Sequence, residues 1–380
     1  MKTRVGIDFH VLDGKFQGSR THVLELFSRV IAQSPDIDFY LFLDKPETLA
    51  NWSSAFSGAN VQCIKMPHAN PVKRLYWQLP RLARQYRLDI LHTQYVLPWP
   101  LRCLGMVTIH DVLFESHPEY FERIFVLRSR VLMRLAAKHA AHLFTVSEFS
   151  RSEIVRLYGV SESRISVVLN GVDLSRFKPG TEGRQLLFAR GLVSGNYILS
   201  VGRLEPRKNH RSLLEAYALI KGDVPNLVLI GHRDFGFDVV FSTIARLGLG
   251  DRVRVLEDVA DAELPVLYRH ARLFVYPAFA EGFGMPPLEA MAAGIPVIAS
   301  NTTAIPEVVG EAGLLVAPDD IDGLAQAMQR LLNDPLEHAR LTLVARERAQ
   351  LFNWDQPAHQ VRERYLLAIK DLEGTEVCAC

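Results

Sequence analysis

The 380-residue chain is 48% hydrophobic and 22% charged, the ordinary composition of a soluble globular protein, and it is long enough for two α/β domains. Its formal net charge of +1 at pH 7 hides an asymmetry, because residues 1–180 hold 23 Lys and Arg against 16 Asp and Glu, whereas residues 181–380 hold 20 against 26. No signal-peptide pattern follows Met1 and no apolar stretch could span a bilayer, so we expect a cytoplasmic protein that is neither secreted nor integral to the membrane.

Short apolar strands alternate with amphipathic helices through the first half of the chain. The helices include residues 20–33 and 119–140. This alternation predicts a parallel β-sheet covered by helices on both faces. The strands are expected at residues 5–9, 39–43, 61–65, 90–93, 106–109, 143–146 and 165–168.

Positive charge is concentrated between residues 61 and 110. Seven Lys and Arg in this segment face a single acid, Asp89. Two interpretations stay open: the segment forms a surface for an anionic membrane or a diphosphate-bearing acceptor, or it is an ordinary solvated face above core-facing apolar residues. The apolar side chains interleaved with the charges are Tyr76, Trp77, Leu79, Leu82 and Tyr86.

A histidine follows the strand expected at residues 106–109. His110 and Asp111 stand beyond the carboxyl end of that strand, where open α/β sheets bind their ligands. The adjacent carboxylate suits either of two roles, fixing the tautomer of the imidazole or capping the next segment. His110 is therefore expected to face the ligand-binding edge of the sheet.

A second alternating series follows residues 178–183, a polar segment rich in Gly and Pro that predicts a linker. The series predicts a second doubly wound domain, again with ligands beyond the carboxyl ends of its strands. No internal repeat or low-complexity segment interrupts it. Its strands are expected at residues 197–201, 227–230, 253–256, 273–276, 296–299 and 314–316.

Two of the cations in the loop after the strand at residues 197–201 are candidates for ligand binding. The loop reads GRLEPRKN from Gly202 to Asn209. A glycine turn there places Arg203 and Lys208 at the ligand-binding edge. Together they can neutralise a diphosphate, since Arg offers a planar fork of donors and Lys a point charge. The alternative is that both are solvated loop residues.

The loop after the strand at residues 273–276 is the most informative part of the chain. Residues 277–294 read PAFAEGFGMPPLEAMAAG. Gly282 and Gly284 let the main chain approach a ligand, and the doubled proline predicts a helix whose free amides and positive dipole end suit a phosphate or a sugar. Glu281 lies in the loop, and Glu289 is expected in the first helical turn. A purely structural alternative is that Glu289 only complements the helix dipole.

The spacing of these two glutamates resembles that of the retaining glycosyltransferase family 4, whose members have the GT-B fold. The match continues through Ser300 and the run from Ile305 to Val308. The resemblance implies two doubly wound Rossmann-like domains facing across a cleft. It implies an acceptor-side domain at residues 1–180, joined by a C-terminal helix at about 354–380, and a donor domain at residues 181–353. It also implies that Glu281 binds the hexose of the donor and Glu289 the ribose.

The same resemblance assigns the remaining site residues. The family's diphosphate-binding cations correspond to Arg203 and Lys208, and its histidine near the donor sugar and acceptor corresponds to His110. The family usually has a paired glycine in the first loop, where this chain keeps only Gly18 at the helix entrance. The expected catalytic residues are His110, Glu281, Arg203 and Lys208. The expected donor-binding residues are Gly18, Gly202, Val259 (beside the nucleobase), Gly282, Phe283, Gly284, Met285, Pro286 and Glu289.

The function implied by this resemblance is hexose transfer from a nucleotide diphosphate sugar, with GDP-mannose the best candidate, to a glycan or lipid-linked acceptor in polysaccharide assembly. No metal ion or other cofactor is expected, because two cations and a helix N-terminus can stabilise the leaving diphosphate. No nucleic-acid partner is expected. A dehydrogenase is disfavoured, since no Gly-x-Gly-x-x-Gly follows the first strand of either half. Three alternative functions of the same fold stay open: an epimerase, a phosphorylase and a non-catalytic sensor. Peripheral contact with the inner face of the membrane also stays open.

Overall fold

The computed structural model of the protein describes residues 2–12, 18–50, 52–67 and 70–377. The chain forms two compact units, each discontinuous in sequence. The first comprises Met1–Val112, Leu127–Gly171 and Asn353–Cys380, and the second comprises Leu113–Val126 and Val172–Phe352. The polar segment at residues 178–183 therefore lies inside the second unit.

Each unit is built on one parallel sheet. Within the described residues every strand expected from the sequence is present, with ends that shift by at most two residues. In chain order the strands are β1 (Thr3–Asp8), β2 (Ile37–Leu43), β3 (Val61–Lys65), β4 (Ile90–Gln94), β5 (Leu104–Thr108), β6 (His142–Thr145), β7 (Ile165–Val167), β8 (Tyr197–Val201), β9 (Asn226–Ile230), β10 (Val253–Leu256), β11 (Leu273–Tyr276), β12 (Val297–Ser300) and β13 (Leu314–Val316).

Helices alternate with the strands. The single helix expected at residues 119–140 is instead a 3₁₀ turn at Pro118–Tyr120 and a separate helix, because Phe121 between them has an extended backbone. In chain order the described α-helices are α1 (Gly18–Ala32), α2 (Glu47–Ala50), α3 (Pro71–Lys73), α4 (Leu79–Gln85), α5 (Leu113–Ser116), α6 (Arg123–His139), α7 (Glu148–Tyr158), α8 (Arg184–Ala189), α9 (His210–Leu219), α10 (Asp238–Arg246), α11 (Leu264–Arg269), α12 (Met285–Ala293), α13 (Ile305–Val309), α14 (Ile321–Asn333), α15 (Pro335–Gln350) and α16 (Asp355–Val377).

The sheet of the first unit has the order β3-β2-β1-β4-β5-β6-β7, with all neighbours parallel. Its five inner strands are buried along most of their length, as expected for a parallel sheet with helices on both faces, whereas the edge strand β3 has no buried residue. The last helix, α16, packs in this unit. The hydroxyl of Tyr365 on α16 lies 2.6 Å from Nδ1 of His92 on β4, and Arg362 forms an ion pair with Asp36 at 3.0 Å.

The sheet of the second unit has the order β10-β9-β8-β11-β12-β13, again all parallel. The direction of strand succession reverses between β8 and β11, the position where doubly wound sheets bind ligands. Helices α9, α10 and α14 share one apolar core, which includes Leu213, Tyr217, Val240 and Met328. The core thus fixes the start of α9 next to the loop that follows β8.

In the ranges that the structure describes, no helix is long and apolar enough to cross a membrane. Cys63 and Cys103 are free thiols. Burial raises the pKa of the Cys103 thiol to about 11, so this thiol is unreactive near neutral pH. Cys378 and Cys380 lie outside the described residues.

Candidate active site

The loops after β8 and β11 meet at the reversal point of the second sheet. Because β8 and β11 are neighbouring parallel strands, their carboxyl ends share one edge. Asn209 joins the two loops, since its side-chain amide donates to the carbonyl of Pro277 at 3.0 Å and to that of Pro318 at 2.6 Å. Lys208 is thereby held beside the loop that carries Glu281.

A buried ion cluster surrounds the Glu281 carboxylate. Its Oε1 accepts a hydrogen bond from the Tyr276 hydroxyl at 2.9 Å and lies 2.9 Å from Nη1 of Arg207. The same oxygen contacts Nζ of Lys208, which also donates to the Tyr276 hydroxyl at 2.7 Å. The structure therefore brings together two of the residues singled out in the sequence, Lys208 and Glu281.

The two cations keep this carboxylate ionised. Burial raises the pKa of Glu281, but the charges of Arg207 and Lys208 outweigh burial and lower that pKa to about 2. The pKa of Lys208 is lowered, first by burial and then by the charge of Arg207, and Glu281 opposes both effects. Little water screens these charges, since all three side chains are almost fully buried.

Sequence analysis missed Glu205, Arg207 and Tyr276. The guanidinium of Arg207 donates to Oε1 of Glu205 at 2.7 Å and to the carbonyl of Ala280 at 2.6 Å, so it connects both loops. One signal was available in the sequence, because Glu205 and Arg207 are opposite charges two residues apart in the loop already singled out. Nothing local marks Tyr276, whose role depends on how β8 and β11 pair.

Arg203 stands apart from the Glu281 cluster. Its Nη1 lies 2.5 Å from Oδ2 of Asp234 and its Nη2 lies 3.6 Å from Oε2 of Glu205, while 41% of the side chain is exposed. The charge of Arg203 is therefore better hydrated than that of Lys208. The preceding Gly202 has room for a side chain, since an added Cβ would make only ordinary contacts with the Lys208 methylenes, 3.5 Å away.

The start of α12 follows the second loop. Gly284 has a φ of 114°, and an added Cβ would lie 2.9 Å from Cδ1 of Ile305, so both backbone and space require glycine here. Gly282 and Phe283 are buried, whereas Met285 and Pro286 are half-buried. As helix N-cap, Gly284 offers no capping side chain, and of the first three residues of α12 only Met285 has an amide N–H for an anion, since Pro286 and Pro287 have none.

Glu289 lies deeper in the helix than the sequence predicts. Because α12 begins at Met285, Glu289 is the fifth helical residue and belongs to the second turn, so its expected place in the first turn is wrong. The two prolines occupy the second and third helical positions instead of starting the helix. Burial raises the pKa of Glu289 to about 7, against the opposing effects of the Tyr268 hydroxyl and the Arg176 charge.

Val259 is half-buried in the loop after β10. The next residue anchors this loop, since the amide of Ala260 donates to Oε2 of Glu263 at 2.8 Å. Arg190 holds the same carboxylate oxygen at 2.7 Å. The backbone that would face a nucleobase is therefore fixed, and the assignment of Val259 to the base stays a prediction.

The candidate site of the first unit is neutral and lies at the carboxyl ends of β4 and β5. His110 is buried, and its Nε2 lies 3.0 Å from Oε1 of Gln94, which ends β4. A neutral His110 therefore carries its proton on Nε2 and donates it to this oxygen. Burial lowers the pKa of His110 well below 6.5, with further lowering from His22 and His92.

His22, which sequence analysis did not single out, belongs to the same site. Its ring centre lies 4.6 Å from that of His110, and its Nδ1 lies 2.6 Å from Oδ1 of Asn170. Burial lowers the pKa of His22 to about 4, although the hydrogen bond with Asn170 opposes this. The sequence signal was its position one helical turn after Gly18.

Gly18 begins α1 and is exposed. An added Cβ would meet nothing within 4 Å, so packing does not require glycine at this position. Residues 13–17 of the first loop lie outside the described residues. The assignment of Gly18 to donor binding therefore stays a prediction.

The basic segment between residues 61 and 110 is divided between core and surface. Leu79 is buried, as one of the two interpretations predicts, and Leu82 is partly buried, whereas Tyr76 and Trp77 are exposed. Trp77 lies between two cations, with Nζ of Lys73 5.7 Å and the guanidinium carbon of Arg81 5.3 Å from its ring centre. Each interpretation therefore describes part of the segment.

The part of the chain that the structure describes contains no group of three or more His, Cys, Asp or Glu arranged to hold a metal ion. The cations near the proposed diphosphate position are instead Lys208, Arg207 and Arg203. The expectation that the reaction needs no metal ion stays a prediction.

Two Rossmann-like sheets with polar loops at their carboxyl edges define a glycosyltransferase of the GT-B fold. Residues 189–348 match the family described as glycosyl transferases group 1, and residues 16–176 match the one described as Glycosyltransferase Family 4. The chain belongs to the group 1 glycosyltransferases.

Two relatives and one solved structure illustrate this membership. O-antigen chain mannosyltransferase B of Escherichia coli is 36% identical over 78% of this chain and 77% of that protein. O-antigen chain mannosyltransferase RfbU of Salmonella typhimurium is 31% identical over 61% of this chain and 62% of its own length. The structure of sucrose-phosphate synthase from Thermosynechococcus elongatus has a TM-score of 0.79 at 22% identity, covering 97% of this chain and 100% of that one, which supports the fold alone.

Proposed function

We propose that the protein is a retaining mannosyltransferase. It moves mannose from GDP-mannose to a hydroxyl group of a glycan or a lipid-linked saccharide during polysaccharide assembly. The two relatives named O-antigen chain mannosyltransferases support this choice of sugar and of process.

The observation that carries the proposal is the buried contact between Lys208 and Glu281 at the edge of the second sheet. Breaking the bond between the sugar and the diphosphate places negative charge on the diphosphate and positive charge on the sugar. A site for this reaction therefore needs a fixed cation near the diphosphate and a carboxylate near the sugar. Lys208 and Glu281 meet this need, with Arg203 and the Met285 amide at the start of α12 as further donors to the diphosphate.

The hydrogen bonds of Glu281 suggest how it holds the sugar. Tyr276, Arg207 and Lys208 all contact Oε1, so Oε2 is the oxygen that we assign to hydroxyl groups of the hexose. Because the pKa of Glu281 is about 2, this oxygen remains an acceptor at neutral pH. In the same proposal, Glu289 binds the ribose and His110 binds a hydroxyl group of the sugar or of the acceptor.

Retention of configuration follows, in this proposal, from front-side attack with the leaving phosphate as the base. A carboxylate that already accepts from three donors through one oxygen is a weak nucleophile. Glu281 is therefore better suited to positioning the sugar than to attacking it.

The proposal places the acceptor at an anionic membrane. Tyr76 and Trp77 support it, since they are exposed among the cations of the basic segment. Amphipathic aromatic rings beside Lys and Arg suit the interface between lipid and water.

A panel of nucleotide sugars tests the proposal. We expect transfer or slow hydrolysis with GDP-mannose, little turnover with GDP-glucose or UDP-glucose, and an unchanged anomeric configuration of the product by NMR. Three outcomes would contradict the proposal. Donor binding without turnover would indicate a sensor, interconversion of nucleotide sugars would indicate an epimerase, and phosphate-dependent release of the sugar would indicate a phosphorylase.

A further inference from the structure

Helix α6 has two opposite faces. One face is buried and contains Val126, Ser129, Met133, Ala136 and Ala137. The other presents large apolar side chains at helical spacing, which fall within an arc of about 80°. Their exposed fractions are 84% for Ile124, 67% for Leu127, 54% for Val131 and 48% for Leu135.

The exposed apolar stripe of α6 has the character of a binding surface. A single exposed leucine or valine is common on protein surfaces, but four in one continuous row form the kind of patch that marks a binding surface. The small and apolar side chains on the inner face of α6 already pack this helix against the rest of the protein. The apolar residues of the outer stripe therefore do not contribute to the hydrophobic core.

The charges of α6 indicate what covers the stripe. The helix contains five Lys and Arg and no Asp or Glu over its 17 residues. By helical geometry Arg123 and Arg134 flank the stripe on one side and Arg128 on the other, and Lys138 lies near its end. A second copy of the chain would bring two such positive faces together, which is unfavourable. An anionic lipid surface satisfies the cations and the apolar stripe at once.

We infer that α6 is a membrane-binding helix that lies in the plane of an anionic lipid surface, with Ile124, Leu127, Val131 and Leu135 inserted between the headgroups. The flanking Lys and Arg reach the headgroup phosphates through their flexible stems. The inference deepens the proposed function, on which it rests for the lipid-linked acceptor. It assigns the main contact to α6 and not to the surface around Trp77.

Three matched variants test the inference in the full chain. The first replaces Leu127, Val131 and Leu135 by Gln, and the second replaces Arg123, Arg128 and Lys138 by Gln. Glutamine keeps helix propensity and all six positions are exposed, so we expect folding to persist. Arg134 is left in place because its guanidinium carbon lies 5.8 Å from the ring centre of Tyr158. The control replaces Leu336, Leu343 and Leu351, exposed leucines of the second unit, by Gln.

The measurement is co-sedimentation with vesicles of phosphatidylglycerol and phosphatidylcholine at low and high salt, and with phosphatidylcholine alone. We expect salt-sensitive binding of the parent to the anionic vesicles. The charge variant should lose about a hundredfold in affinity, since each cation contributes about fivefold near an anionic surface. The apolar variant should lose at least about tenfold. The control should bind as the parent does, and Trp77→Ala should lose less affinity than either α6 variant.

Several results would overturn the inference. These are no binding of the parent at low salt, equal binding of all variants, or a greater loss with Trp77→Ala than with the α6 variants. A parent dimer that the apolar variant converts to a monomer in sedimentation velocity would identify the stripe as an interface between copies. Turnover of GDP-mannose without vesicles is measured in parallel, so that failure of the proposed function and failure of membrane binding are seen separately.

Discussion

The two units bury their candidate site residues to a similar degree, yet one site is charged and the other neutral. In the second unit, Glu281 is buried together with Arg207 and Lys208, and its pKa falls to about 2. In the first unit, His110 and His22 are buried beside each other and beside amide groups, and their pKa values fall below the usual range. Burial favours the neutral form of a group unless an opposite charge is buried with it.

This difference separates two tasks of a glycosyl transfer. A charged, rigid cluster stabilises the charges that develop when the donor bond breaks. A neutral imidazole of fixed tautomer can hold a hydroxyl without adding charge beside a sugar that becomes positive. Under the proposed function, the leaving group and the donor sugar belong to the second unit, and hydroxyl positioning belongs to the first.

The largest effects are expected from Lys208→Met and Glu281→Gln, which remove the two charges of the buried contact. Removing a buried cation that contacts the developing charge should lower turnover at saturating donor by about a hundredfold or more. Arg203→Met is the matched variant, and because Arg203 is half-exposed and paired with Asp234, we expect a loss of only about tenfold. Initial rates with GDP-mannose measure both. Equal losses would remove the distinction between buried and hydrated cations.

Glu281→Gln should nearly abolish transfer while weakening GDP binding only slightly, because Glu281 is assigned to the sugar. Glu289→Gln should weaken the binding of GDP itself, through the ribose. Calorimetry with GDP, alongside rates of transfer, separates the two. Thermal melts of each variant show whether the cluster still folds without the Glu281 charge. Equal losses of GDP affinity would show that the two glutamates do not divide sugar from ribose.

His110→Asn should lower the rate by about tenfold, the value of one hydrogen bond to the substrate. Because the pKa of His110 lies well below 6.5, the folded protein keeps this imidazole neutral, and the parent rate should show no step near pH 6.5 from its protonation. The pH dependence of the rate in the parent and in the variant checks this. A step near pH 6.5 that the variant lacks would mean that His110 acts as a titrating acid or base.

The smallest effect concerns stability. The pKa of Glu289 is raised from 4.5 to about 7, so the folded protein retains a proton that the unfolded chain releases. The resulting stabilisation is fully present below about pH 4.5 and is lost as the pH rises through about 7. The side chain of Gln in Glu289→Gln stays neutral at every pH. The variant should therefore gain roughly 2 to 4 °C in melting temperature relative to the parent between pH 5 and pH 8.

Glu311→Gln is the control for this measurement, because Glu311 is exposed in the same unit. Its melting temperature should follow that of the parent at every pH. A Glu289→Gln variant that also follows the parent would mean that the Glu289 carboxyl is ionised in the folded protein at neutral pH.

The sequence predicted the strands well because a buried parallel strand is a local apolar pattern, as in Tyr197–Val201 and Leu273–Tyr276. It also singled out Lys208 and Glu281, which the structure brings into contact, because each stands in a loop with an informative local motif. The ion cluster itself was not predictable. Tyr276 is only five residues from Glu281, but Arg207 and Lys208 reach Glu281 because β8 and β11 are neighbours, and no local pattern states which strands pair.

Two errors had local causes. The break at Phe121 was hidden because the apolar pattern continues across it, although the backbone there is extended. Glu289 was placed one turn too early because the doubled proline was taken as the helix start, whereas Met285 precedes it within the helix. His22 carried no motif of its own, and its proximity to His110 arises from the packing of α1 against the sheet edge.

The position of α16 gives the chain an unusual order of assembly. All seven strands of the first unit have been synthesised by residue 167, but α16, with the Tyr365 partner of His92 and the Arg362 partner of Asp36, begins only at Asp355. At ribosomal rates this delay lasts roughly 10 to 40 seconds, during which the second unit is completed. The half of the protein that is translated first is therefore finished last. A premature stop after Phe352 would leave the second unit with its full sequence and deprive the first of its closing helix.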